Sequence, residues 1–154
     1  MEPIAIRPAT LADLPHIVHH RRSMFRDMGR GTPAEIEACV AVTEVFLREA
    51  MPNGGYRGWL AETAGGVIAA GAGITIVPWP GHPGDAVPRR GWIQNVYTEA
   101  AFRRQGLARR LMETVVVWCR AEGFHTISLH ASADGRPLYE DMGFKATNEM
   151  RLDL

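Results

Sequence analysis

One stretch of the sequence, residues 92–119, constrains the possible folds more than any other. It opens with residues 92–98, a run rich in aromatic and β-branched side chains that is typical of a β-strand. From about Gln105 the apolar residues recur once per turn, which predicts an α-helix. These apolar positions are Leu107, Leu111 and Val115. The stretch therefore predicts a strand that leads through a short turn into a helix.

A basic turn connects this strand to the helix, and its sequence is Arg103-Arg104-Gln105-Gly106-Leu107-Ala108. The first four N–H groups of a helix lack intrahelical acceptors, and the macrodipole places roughly half a positive charge at that end. Because Gly106 has no Cβ, a ligand can approach the backbone closely there. We therefore predict that this turn binds a phosphate group.

The composition predicts one globular domain, residues 1–154, that is large enough to bury a sizeable core. Seventeen basic and seventeen acidic residues cancel, so neither nucleic acid nor a membrane is an expected partner. No apolar run approaches the ~18 residues of a membrane span. Residues 1–10 lack the apolar core of a signal peptide, and we therefore expect a cytoplasmic protein.

The cysteines and histidines do not predict a metal site. Cys39 and Cys119 fall inside predicted helices without metal-type spacing, which favours reduced thiols. The histidines near the start of the chain have helical spacing, as metal ligands can have. They are His16, His19 and His20. No carboxylate or cysteine nearby completes a site, so we interpret them as a solvent-exposed helix face.

The remaining patterns predict an α/β domain with the order β-α-α-β-β-β-α-β-α-β. The predicted strands are residues 3–7, 56–63, 67–77, 92–98, 124–131 and 145–152, and the predicted helices are residues 11–28, 33–51, 105–122 and 135–142. Thr10 with Asp13, and Thr32 with Glu35, have the spacing of helix capping boxes. Gly71 and Gly73 inside a strand indicate a bulge or a close backbone approach.

A second motif, Leu138-Tyr139-Glu140-x-x-Gly143-Phe144, follows the basic turn by some thirty residues. With the order of elements and the Arg103-x-x-Gly106-x-Ala108 turn, it resembles the GCN5-related N-acetyltransferase (GNAT) family. The resemblance covers essentially the whole chain. It implies an α/β (α+β) fold with a mixed, mostly antiparallel central sheet of about six to seven strands, flanked by about four helices.

The resemblance also implies acetyl-CoA as the cosubstrate. In this family the turn binds the pyrophosphate through its backbone N–H groups, and the preceding strand carries a bulge and pairs with the pantetheine arm. Ser132 stands where many members have an asparagine that contacts the pantetheine. The residues that the resemblance assigns to the cofactor are Val96, Tyr97, Thr98, Arg103, Arg104, Gln105, Gly106, Leu107, Ala108 and Ser132.

Two catalytic residues follow from the same resemblance, Tyr139 near the cofactor sulfur and Asn95 beside the acetyl group. A backbone N–H near Val96 would polarise the acetyl carbonyl. An alkylamine with a pKa of ~10.4 costs roughly 4–5 kcal/mol to deprotonate at neutral pH, so a general base is useful. The candidates for that base are Glu62, Glu99, Asp134 and an ordered water.

The expected function is N-acetyl transfer, by direct attack in a ternary complex, to a primary amine of a small molecule, amino acid or peptide. The alternatives are a non-catalytic acyl-CoA sensor, or an acyltransferase that uses another acyl group or a protein lysine. A homodimer through the last strand or an open sheet edge is a further expectation. Arginines near the end of the first helix either form a solvated helix face or attract an acidic acceptor. They are Arg21, Arg22, Arg26 and Arg30.

Overall fold

The computed structural model describes residues 3–154, so residues 1 and 2 of the predicted domain lie outside the described residues. The strands are β1 (Ile4–Pro8), β2 (Tyr56–Thr63), β3 (Ile68–Pro78), β4 (Arg89–Thr98) and β5 (Ile127–Leu129). The helices are α1 (Leu14–Asp27), α2 (Pro33–Asn53), α3 (Leu107–Ala121) and α4 (Arg136–Asp141). No helix in this described part of the chain is long and apolar enough to cross a membrane.

The five strands form one sheet in the order β1-β2-β3-β4-β5. The first three pairs are antiparallel, whereas β4 and β5 are parallel. The parallel pairing extends only from Gly91 to Ile93. Beyond Ile93, the edge of β4 that faces β5 has no strand partner within residues 3–154. The sheet is therefore open beside the second half of β4.

A bulge interrupts the pairing of β3 with β4, as the two glycines predicted. Gly71 lies opposite Tyr97 and Gly73 lies opposite Gln94. Two residues of β4, the second of them Val96, therefore face a single residue of β3. The first of the two, Asn95, has a φ of 58°, in the left-handed region that asparagine tolerates better than most residues.

Both faces of the sheet are covered. Helix α3 packs on one face, where Ile74, Leu111 and Val115 are fully buried. Helices α1 and α2 cover the other face, where Ile17 and Leu47 belong to a second buried cluster. Strand β4 lies between these two layers, so its successive side chains face one layer or the other.

Both capping boxes predicted from the sequence are present. Thr32 Oγ1 accepts from the Glu35 N–H at 3.2 Å, and the Glu35 carboxylate accepts from the Thr32 N–H at 2.7 Å. The Asp13 carboxylate accepts from the Thr10 N–H at 2.8 Å and from Arg7 at 2.8 Å. The hydrogen bond from Arg7 holds the pKa of Asp13 at about 2. These contacts stabilise the N-terminal ends of the segments that form α1 and α2, the two helices on this face of the sheet.

The predicted last strand, residues 145–152, is wrong. This segment has no regular secondary structure, and Met150 and Leu152 are 94% and 82% exposed. A strand needs a partner edge, and β5, with only three residues, offers a very short one. The sheet consequently has five strands, fewer than the predicted six to seven. Dimerisation through this segment stays a prediction.

The predicted strand over residues 124–131 is also shorter than expected. Phe124 is buried on the face of the sheet that α3 covers, and its N–H donates to the Cys119 carbonyl at the end of α3. At the other end, the His130 ring stacks on Trp92 at 5.1 Å. Both ends of the run are therefore held by helix and ring contacts. Cys119 and Cys39 are both free thiols.

Candidate functional site

The basic turn before α3 presents a row of unpaired backbone N–H groups. Arg104 and Gly106 have φ angles of 64° and 75°, which curve the backbone into a concave loop. No N–H of residues 104–109 has an acceptor within the part of the chain that the structure describes. Such a row of N–H groups at a helix N-terminus is a binding site for an anion. The geometry agrees with the predicted phosphate site.

Arg103 anchors this loop with its side chain. Its guanidinium bonds Asp27 at the end of α1 at 2.6 Å and the Thr98 carbonyl at 3.1 Å. Its backbone N–H donates to Ala100 at 3.4 Å, so the available N–H groups begin at Arg104. Asp27 also accepts from the Tyr97 hydroxyl at 3.0 Å, and Arg103 holds the pKa of Asp27 below its usual range. Arg103 thus positions the loop and connects it to α1.

The predicted pantetheine contacts lie along one path that leads to this loop. Val96, Tyr97 and Thr98 belong to the half of β4 that β5 does not pair. Ser132 lies before α4, where its hydroxyl accepts from the Gly135 N–H at 3.1 Å. The serine oxygen is therefore already engaged as an acceptor, and its proton remains for a further contact.

Tyr139 lies on α4, in the helical position that the motif predicts. Its ring packs edge-on against Phe144 and closely against Gly135. Its hydroxyl has no hydrogen-bond partner within residues 3–154. Burial raises the pKa of Tyr139, so the hydroxyl keeps its proton near neutral pH. This side chain can donate a proton to a departing thiolate.

Asn95 is the most constrained residue of the bulge, with only 5% of its surface exposed. Its Oδ1 accepts from Arg21 at 2.9 Å, and its Nδ2 donates to the Tyr56 hydroxyl at 3.0 Å. Burial raises the pKa of Tyr56 to about 12. A Cβ on Gly73 would lie 1.9 Å from that hydroxyl, so only glycine fits there. Both ends of the Asn95 amide are used to hold the bulge.

His20 corrects one prediction from the sequence. It is 2% exposed, and its ring lies 5.4 Å from that of Tyr97, whereas His16 and His19 are exposed as expected. His20 is buried because it follows the buried Ile17 by three residues and therefore lies on the same face of α1. Burial, followed by the charges of His19 and His16, lowers the pKa of His20 to about 4.

The three carboxylates proposed as the general base have different surroundings. Glu62 is paired with Arg7, and it stands six residues from Tyr56 along β2, or roughly 20 Å. Asp134 is exposed and makes no contact with a residue that the structure describes. Glu99 lies immediately after β4, with one oxygen 3.4 Å from His20 Nε2. Glu99 is therefore the candidate that adjoins the site.

Sequence reasoning missed Tyr56 and His20 as members of this site. The signal for both was the pair of glycines in β3, since Gly73 faces Tyr56 and Gly71 faces His20. Of the four arginines near the end of α1, Arg21 reaches the site, while Arg22 is paired with Glu37 at 2.6 Å. Within residues 3–154 no group of three or more His, Cys, Asp or Glu is arranged to hold a metal.

Known proteins resemble this chain in sequence and in fold. The sequence model of the acetyltransferase (GNAT) family matches residues 22–144. A glucosamine 6-phosphate N-acetyltransferase from Trypanosoma brucei brucei is 33% identical over 90 residues, which are 58% of this chain and 59% of that protein. This chain thus spans somewhat more than half the length of that curated relative.

Solved structures resemble the whole chain. A GCN5-related N-acetyltransferase from Ralstonia eutropha JMP134 is 32% identical, with a TM-score of 0.92 and 99% of each chain covered. A predicted acetyltransferase with acetyl-CoA from Clostridium acetobutylicum is 28% identical, with a TM-score of 0.86. That comparison covers 99% of this chain and 96% of the other.

The hydrogen bond between Asn95 and Tyr56 predicts a loss of stability in Tyr56→Phe. The substitution leaves the buried Nδ2 of Asn95 without an acceptor, which costs about 1–3 kcal/mol. Urea unfolding measures this loss. The matched control is Tyr139→Phe, whose hydroxyl lacks a protein partner and whose stability should change by less than about 0.5 kcal/mol. Equal stability of Tyr56→Phe and the unsubstituted protein would contradict the proposed contact.

Proposed function

The chain belongs to the acetyltransferase (GNAT) family, and from that premise we propose that it transfers an acetyl group from acetyl-CoA to a primary amine. The acceptor is a small molecule, an amino acid or a peptide, and the amine attacks the thioester directly in a ternary complex. The observation that carries this proposal is one continuous path. It runs from the unpaired N–H groups of residues 104–109, along the open edge of β4, to the bulge at Asn95.

This path fits the parts of acetyl-CoA by chemistry. The pyrophosphate is an anion, and the N–H groups of the loop together with the macrodipole of α3 favour an anion there. The pantetheine arm contains amides, which can pair with the free backbone groups of β4 as a strand would. The structure with acetyl-CoA from Clostridium acetobutylicum, which has the same fold, supports this cosubstrate.

Three groups of this chain supply the chemistry in our proposal. The N–H of Val96, at the bulge, polarises the acetyl carbonyl and stabilises the oxyanion of the tetrahedral intermediate. Asn95 fixes the position of that N–H because Arg21 and Tyr56 hold both ends of its amide. Tyr139, whose hydroxyl keeps its proton near neutral pH, donates that proton to the departing thiolate.

The proposed acceptor is defined by its reacting group, a primary amine. The Trypanosoma brucei brucei relative is named for glucosamine 6-phosphate, an amine that carries an anionic group, and Arg21 offers a cation beside the bulge. An amine with a phosphate or carboxylate is therefore the first acceptor to test. A non-catalytic acyl-CoA sensor is the weaker alternative, because a sensor has no need of a Tyr139 hydroxyl that makes no hydrogen bond within residues 3–154.

Coenzyme A release tests the proposed function. Purified protein is mixed with acetyl-CoA and a panel of amines that includes glucosamine 6-phosphate, amino acids and peptides. We expect amine-dependent release of coenzyme A with at least one of them, and an acetylated product by mass spectrometry. Saturable binding of acetyl-CoA without release for any amine would favour the sensor, and transfer to protein lysines alone would change the acceptor class.

The loop predicts a specific effect of Gly106→Ala on cosubstrate binding. A Cβ at this position meets no protein atom within 4 Å, so the substitution costs about 1 kcal/mol, mainly through the positive φ. The new methyl group would project into the space that the anion occupies. We therefore expect acetyl-CoA affinity, measured by calorimetry, to fall at least about tenfold.

Gly123→Ala is the matched control for this substitution. Gly123, just past the other end of α3, has a φ of 83° and equally open surroundings. Its substitution should cost similar stability and leave acetyl-CoA affinity unchanged. The same affinity loss in both variants would mean that strain, and not the loss of a phosphate contact, explains the effect at Gly106.

The position of Tyr139 predicts a change in kcat. Tyr139→Phe removes the proton donor and keeps the ring packing against Phe144, so kcat should fall about 10- to 100-fold. The KM for acetyl-CoA should stay within about twofold. Steady-state kinetics at saturating amine measures both values, and an unaltered kcat would remove Tyr139 from the role of acid.

A further inference from the structure

A small, partly open cavity lies against the bulge, on the side of the sheet that α1 covers. Its volume is about 10 Å³, which is roughly the space that one water molecule needs. The polar groups that line it belong to His20, Tyr56 and Asn95. A water in this cavity would therefore meet polar partners, and it would lie directly beside Asn95.

Gly71 makes room for the His20 ring beside this cavity. A Cβ on Gly71 would lie 2.8 Å from His20 Nδ1 and 3.1 Å from Leu60 Cδ2. Both distances are shorter than atoms tolerate without moving. The His20 ring therefore packs directly on Gly71 with its Nδ1 side, and both residues line the cavity.

The other ring nitrogen of His20 points away from the cavity. His20 Nε2 lies 3.4 Å from Glu99 Oε1, and the same oxygen lies 2.9 Å from His19 Nε2. The His19 side chain is 52% exposed and that of Glu99 is 27% exposed. A buried imidazole therefore connects the cavity to a carboxylate that reaches the surface.

We propose that His20 relays the proton of the acceptor amine from a water in this cavity to Glu99. This role rests on the proposed function. The ammonium gives one proton to the water, the water protonates Nδ1, and the Nε2 proton passes to Glu99 and then to solvent. The neutral amine next forms the N–C bond to give the tetrahedral intermediate, and the C–S bond breaks as that intermediate collapses. The second amine proton replaces the one that Tyr139 gives to sulfur, so the reaction releases one proton in all.

The surroundings of His20 suit a relay. The titratable and charged groups that face it are His16, His19 and Arg21 from α1, Tyr56 from β2, Tyr97 from β4, and Glu99. With a pKa lowered to about 4 by burial, the ring is neutral at pH 7. A neutral imidazole can accept a proton at one nitrogen while it donates at the other.

His20→Gln tests the relay, because glutamine retains polar contacts but cannot pass a proton in this way. At pH 7 we expect kcat to fall about 100-fold, with acetyl-CoA affinity within about twofold of the unsubstituted protein. The deficit should shrink as the pH approaches the pKa of the amine, since the free amine is then supplied by solvent. His16→Gln, an exposed histidine of the same helix, is the matched control and should match the unsubstituted protein throughout.

Glu99→Gln supplies a second variant at a partly exposed position, in case His20→Gln does not fold. It should show the same deficit with the same dependence on pH. A loss of kcat that is constant across pH, or no loss in either variant, would overturn the relay. Those outcomes are distinct from a failure of the proposed function, in which the unsubstituted protein itself releases no coenzyme A with any amine.

Discussion

The hydrogen bonds of the Asn95 side chain are the interaction on which the site depends. A residue with a positive φ in the middle of a strand is strained, and it persists only where its surroundings hold it. Here Arg21 and Tyr56 bind the two ends of the amide, from α1 and β2 respectively. Because the bulge places Val96 and the following residues, the contacts of one side chain organise both the acetyl position and the start of the path to the phosphate loop.

Much of the cofactor half of the site could be predicted from the sequence because it depends on local structure. A strand, a glycine turn and a helix start follow from neighbouring residues, and the loop before α3 has the predicted form. The acceptor half depends on contacts between distant segments. His20 is buried because it lies on the face of α1 that meets the sheet. The periodicity of α1 cannot predict that a glycine in β3 leaves room for the His20 ring.

The last strand shows the same limit in a different way. Residues 145–152 have side chains that a strand would accept, but strand formation also requires a neighbouring edge of sufficient length. That edge is β5, whose length is set by how Phe124 and His130 are held at its two ends. Long-range contacts of this kind are not encoded in the pattern of the segment itself.

Arg103 has a consequence for how the two halves of the site communicate. The loop and α1 share the ion pair with Asp27, and Asp27 follows His20 by seven residues, or two turns of the same helix. The loop is therefore tied to the helix that carries His20 and Arg21. Asp27 also accepts from the Tyr97 hydroxyl of β4, so the strand, the loop and the helix meet at one carboxylate between the two proposed halves of the site.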